Sequence, residues 1–326
     1  MIRPKPRPIV PQLTKKRLPQ RRPVTVCIAA GCRNGEYAVT CTDGALSLGA
    51  ESIDVALTKI LLMDDWQFMY AGEPGNTDLV MENVRQQLLN DPQALQREKI
   101  QTTIRRAYKK RLAQWISDYV LAPYDMEMSE FKREGRQMFG DELARQLAKD
   151  MDSAAAQFKE EIMVVGWGST PLSLMIYGVN QSGTWSGGLS GIGAIGSGGQ
   201  VATSTLLLYG ITRTSSLEDT LYAVAAAKFS AERCDGVGRD HTTIYVSRKR
   251  AKTDKPDEWV GKFLTVEEVD NLRYLWEDHG KPRIPDDDMN IMLGISQRVS
   301  GSVGAGSAVR FAKAVMQKSK RVKQGS

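Results

Sequence analysis

The chain has 326 residues, 41% of them hydrophobic and 25% charged, with a formal net charge of +6. That length suits one large domain or two ordinary ones with a sizeable core, and no apolar run reaches the roughly 18–20 residues that a bilayer-spanning helix needs. Two histidines far apart, His241 and His279, argue against a histidine metal site or a Ser-His-Asp triad, and four cysteines without metal spacing read as free thiols in a reducing, cytoplasmic setting.

Residues 1–24 carry eight lysines or arginines, no acid and a run of prolines, a composition that cannot bury enough surface to fold alone. We read them as a basic, proline-rich leader or propeptide. No aromatics are interleaved for base stacking, so a nucleic-acid partner is not expected. From Thr25 the pattern turns to short apolar strands. Asn34-Gly35 separates two runs rich in Val, Ile, Thr and Ala, a hairpin signal. Further strands follow at Ile60 to Met63 and Gln67 to Ala71, around the turn at Asp64-Asp65. Asp43 and Lys59 stand at the ends of such runs, either as a solvated acid and base or as side chains presented to a cleft.

Pro74 to about Gln87 is helical in period, with Asn76 or Thr77 as cap and Leu79, Val80, Val84 and Leu88 recurring. A second, charged helix begins at Asp91-Pro92, and residues 123–160 add a further charged stretch with Leu143, Leu147 and Met151 on one helix face. Strands return at Ile162–Trp167 and Leu172–Val179. A glycine-rich turn over Ile192–Gly199 opens a helix from Val201 to Leu208. It offers amides to an anion but has neither GxxxxGK[ST] nor GxGxxG spacing. Leu217–Arg233 is another helix and His241–Val246 the last strand. Beyond Arg250, Thr265–Trp276 reads as one helix docking on a neighbour, and from Ser296 the chain reads as a flexible, finally basic tail. The order strands, helices, strands, helices, strands predicts a layered α/β or α+β sandwich with helices outside.

Four landmarks fall in a familiar order: TDGALSLG at 42–49, Lys59-Ile60 sixteen residues after Asp43, FMYAG at 68–72 and GAIGSGGQVA at 193–202. Between them lie EIMVVGW and the QSGTW turn. On these motifs the chain from Thr25 to Arg248 resembles a proteasome β-type subunit of the N-terminal-nucleophile (Ntn) hydrolase family. The resemblance implies an α+β, four-layer αββα sandwich over residues 25–250, with 123–160 as a helical insertion and 251–326 as a C-terminal extension with one helix and a basic tail. It also implies a homo- or hetero-oligomeric ring, a polypeptide substrate and a regulatory ATPase as a further partner, and neither membrane nor cofactor nor metal.

In such a family an N-terminal threonine hydroxyl attacks a peptide carbonyl while its own α-amine serves as base. An α-amine titrates near 7.7–8.0, suited to work at neutral pH. By position, Lys59 would favour the neutral amine and lower the hydroxyl's pKa, Asp43 would keep that lysine charged, and Gly72 would offer its amide to the oxyanion. Ser197 and an acid near Arg233, here Asp235, would complete the network. Counting back from Asn34-Gly35 puts Thr25 at the nucleophile position, whereas counting back from Asp43 gives Cys27. Thr25 is the choice that leaves the basic segment as a propeptide, although Val24 stands where the family has glycine. The expected function is a threonine-type peptidase active after loss of residues 1–24, and the alternative is an inactive scaffold subunit of the same fold.

Overall fold

The computed structural model describes residues 25–48, 51–54, 58–167, 174–234, 236–251, 254, 260–280 and 289–299. The expected leader, 1–24, and residues 300–326 lie outside the described residues. Strands β1 (Cys27–Cys32) and β2 (Tyr37–Asp43) form the expected hairpin. Arg33, Asn34 and Gly35 connect them at φ of 47°, 59° and 80°, left-handed conformations that Asn and Gly accept at low cost. β3 (Ala45–Leu48) and β4 (Glu51–Asp54) make a small separate hairpin. β5 (Ile60–Met63), β6 (Trp66–Ala71), β7 (Glu161–Gly166), β8 (Met175–Asn180) and β9 (Gly183–Ser186) form an antiparallel sheet in chain order. β1 and β2 belong to another antiparallel sheet, ordered β10-β1-β2-β11-β12, with β10 (Ile192–Ile195), β11 (Thr242–Arg248) and β12 (Gly261–Phe263).

Successive side chains of a strand face opposite ways, and here both faces are buried. On β1, Ile28, Ala30 and Cys32 join a cluster with α4 (Gly199–Leu208) and α5 (Leu217–Ala231), while Cys27 and Ala29 join one shared with the second sheet. On β6, Trp66 and Phe68 pack with α1 (Pro74–Asn90) and α2 (Arg97–Ile116), while Met69 and Ala71 turn to the shared cluster. This explains why these strands read as continuous apolar runs rather than alternating ones. The alanine-rich middle of α5, Ala223 to Ala227, lets the helix lie close on β1 and β2.

Four expectations need correction. The stretch at Ile192–Gly199 is not all turn: Ile192–Ile195 is β10, paired antiparallel with β1. The second helix starts at Arg97 rather than at Asp91. The Leu95 carbonyl is taken by Trp66 Nε1 at 2.7 Å and the Ala94 carbonyl by Thr103 Oγ1 at 2.8 Å, which holds this connection outside the helical ladder. The helix after the last strand, α6 (Val266–His279), packs on its own body: Leu272 and Leu275 are buried in the α5 cluster. A further helix, α7 (Met289–Val299), was not expected; Met292 and Ile295 enter the same cluster, so Ser296 to Val299 are helical rather than tail. The stretch at 123–160 is largely α3 (Met128–Gln157), kinked where Gly140 adopts φ 74°.

Candidate active site

The site is built where strand ends meet. Thr25 lies two residues before Cys27 and so is in phase with Cys27 and Ala29, on the β1 side that faces the second sheet. Its side chain is buried, 1% exposed. Asp43 ends β2 and Lys59 immediately precedes β5. Thr25 Oγ1 donates to Asp43 Oδ1 at 2.6 Å, and Lys59 Nζ donates to the same oxygen at 2.8 Å. The other carboxylate oxygen, Oδ2, accepts the Gly238 amide at 2.9 Å. A carboxylate with no exposed surface costs heavily unless it is paired and hydrogen-bonded, and here three donors, one of them an ammonium, meet that need.

The glycine turn holds the backbone of Thr25. The Thr25 amide donates to Ser197 Oγ at 3.3 Å, and the Thr25 carbonyl accepts from the Gly198 amide at 3.2 Å and from Ser197 Oγ at 3.3 Å. Gly196 is required for this approach. It sits at φ 87°, and a Cβ there would collide with the Thr25 carbonyl oxygen. Its amide donates to Glu161 Oε2 at 2.8 Å, so the first residue of β7 fixes the turn.

Gly72 follows β6 at φ 136°, and a Cβ would collide with the Glu160 carboxylate. The Cys27 thiol donates to the Tyr70 carbonyl at 3.2 Å, which brings this end of β6 to the start of β1. Glu160 is the buried acid behind Gly72. It accepts from the Glu73 amide at 3.2 Å, Asn76 Nδ2 at 3.1 Å and Thr77 Oγ1 at 3.4 Å, at the start of α1, where Glu73's own side chain makes no capping bond. Burial pushes its carboxyl up to about 7, against the lowering effect of these donors.

Of the residues expected from the sequence, Thr25, Asp43, Lys59 and Ser197 are joined by hydrogen bonds, and Gly72 stands at the adjoining strand end. Asp235 lies outside the described residues. Cys27, the other candidate nucleophile, is fully buried, and that burial drives its thiol far above the ordinary thiol range, outweighing Lys59. A thiol so held is a poor nucleophile. Three contributors were missed. Glu160 and Glu161 read as charges flanking a strand, and Gly238 sits in a short polar segment with no motif of its own. Among the described residues no cluster of His, Cys, Asp or Glu could hold a metal ion.

No family model and no curated protein match this sequence. Solved structures do resemble it. The chain is similar to Anbu of Pseudomonas aeruginosa, from a structure described as a helical assembly of the Anbu complex, at 14% identity over 81% of this chain and 99% of that one, TM-score 0.53. It is similar to Anbu of Yersinia bercovieri, described as an ancestral beta-subunit, at 11% identity over 78% and 94%, TM-score 0.52. Anbu of Hyphomicrobium, a Gly-1 mutant, matches at 13% identity over 78% and 94%, TM-score 0.51. At such identities the likeness is one of fold, and the chain has the proteasome-like fold of these Anbu structures.

Proposed function

We propose that the chain is a threonine-type peptidase subunit in which Thr25 becomes the nucleophile once residues 1–24 are removed. The observation that carries this reading is the convergence of Thr25 Oγ1 and Lys59 Nζ on one oxygen of Asp43, with Ser197 against the Thr25 nitrogen. Removing the leader would turn that nitrogen from an amide into an α-amine, 3.3 Å from a hydroxyl able to orient it. The amine is then the base, Lys59 supplies positive charge beside the hydroxyl as its proton leaves, and Asp43 holds both groups. Gly72 would present its amide to the oxyanion. The three core clusters support a four-layer αββα arrangement, with 123–160 as a helical insertion. A cytoplasmic ring, a polypeptide substrate and a regulatory ATPase belong to the same reading.

A second reading, an inactive scaffold, is favoured by one observation: with the leader in place Thr25 is 1% exposed and its hydroxyl is held by Asp43. The experiment that separates the two is intact mass after incubation at neutral pH, followed by reaction with a peptide epoxyketone, which requires a hydroxyl and a free α-amine on one residue. We expect a mass beginning at Thr25 and one adduct, with Thr25→Ala abolishing both. A full-length mass that persists in the assembled protein, without adduct, supports the scaffold.

A further inference from the structure

The sequence left α6 outside the chemistry, yet an unbroken chain of polar contacts runs from it to the candidate acid. Asp43 ends β2, and its carboxylate, which takes Thr25 and Lys59 on Oδ1, turns its second oxygen to the segment that follows α5. There Oδ2 accepts the Gly238 amide. The carbonyl of the same glycine is held at 2.7 Å by Nζ of Lys228, an α5 lysine with no exposed surface. Lys228 is also paired with Glu232. Glu232 in turn receives a two-pronged contact from Arg273 of α6, Nη1 to Oε2 and Nη2 to Oε1, both 2.7 Å. Arg273 further reaches the Arg239 carbonyl at 3.1 Å and lies over the Phe229 ring at 4.2 Å, while Arg239 Nε donates to the Glu232 carbonyl at 3.3 Å.

We propose that Arg273 is a positioning residue for the site: through Glu232 and Lys228 it fixes the 236–240 segment, and so aims the Gly238 amide at Asp43. Its consequence for Thr25 reactivity rests on the peptidase reading, but the positioning itself does not. A buried ammonium keeps its geometry only while its anion keeps its own, and Glu232 has Lys228 on one side and the Arg273 fork on the other. Planar, paired contacts of this kind hold a carboxylate in orientation as a single ammonium does not. The same segment touches the opposite wall of the site as well, since Val237 packs against Gly198 of the turn that binds Thr25. The helix beyond the last strand thereby becomes a support of the site.

The test uses the full chain and amide hydrogen exchange over residues 236–242, with exchange in α5 and β2 as internal references. Arg273→Ala should speed exchange of the Gly238 amide about tenfold or more, equivalent to one decade in the opening equilibrium, with the references unchanged. Arg273→Lys, which keeps the charge but not the fork, should fall between Ala and wild type. Unchanged Gly238 protection in both variants overturns the proposal. So does an equal rise across α5, β2 and the segment, because that reports general destabilisation rather than aim. If wild type never forms a Thr25 adduct the peptidase reading fails, and the exchange result still decides the positioning. If wild type does form it, Arg273→Ala should slow the adduct rate and shift its pH profile, both partly restored in Arg273→Lys.

Discussion

At Glu160 burial and ionisation conflict openly. Its carboxyl rises from the ordinary 4.5 to about 7 because burial outweighs the donors from Glu73, Asn76 and Thr77. Other charged groups near it are Glu73 itself, which raises it further, and Arg111, which reaches it only through the Asn76 side-chain oxygen at 2.7 Å. Since the folded-state pKa is above the unfolded one, the native protein binds the extra proton between those values. The favourable contribution is therefore complete below about pH 4.5 and is lost as pH rises through about 7. Relative to Glu160→Gln, wild type should lose about 3 kcal/mol of stability between those limits, read as a relative shift in urea midpoints. A difference that stays flat with pH would mean the carboxyl is not buried in this way. Because Glu160 abuts Gly72, the same titration should move the amide proposed for the oxyanion.

At the scale of elements, what the sequence showed and what it hid follow from how locally each element is specified. The β1–β2 hairpin was legible because Asn34-Gly35 meets a local need for positive φ, and Asp43 and Lys59 stood out as ionisable groups at strand ends. β10 was hidden because Ile192–Ile195 is short, contains a glycine, and is a strand only by its pairing with β1. Glu160, Glu161 and Gly238 were hidden for the same reason: their roles come from partners 84, 35 and 195 residues away. α6 was legible as a helix, with Thr265 and Glu268 forming a reciprocal cap, but its docking partner was not, because an amphipathic face does not name what covers it. The structure assigns that face to the protein's own core. Leu272→Ala should then cost about 2–5 kcal/mol in chemical denaturation. An unchanged midpoint would return α6 to the role of a helix awaiting a neighbour.

At the scale of the molecule, the net excess of positive charge is confined to the two ends. Residues 1–24 hold eight basic residues and residues 300–326 hold six, with no acid in either, so residues 25–299 keep 30 lysines and arginines against 38 acids, a formal charge of −8. Processing at Thr25 would leave 36 basic residues against 38 acids and turn the net charge from +6 to −2. The unprocessed chain should bind a cation exchanger or duplex DNA at neutral pH through its ends alone, with affinity falling steeply as salt rises, since phosphate contacts act by releasing counterions. The processed chain should pass through the same column and bind an anion exchanger instead. This separates a basic leader from a basic working surface. Retention on DNA by the chain beginning at Thr25, at physiological salt, would place that binding on the remaining basic end instead. Loss of retention on processing would make the leader's charge a property of the precursor, discarded when the amine of Thr25 is exposed.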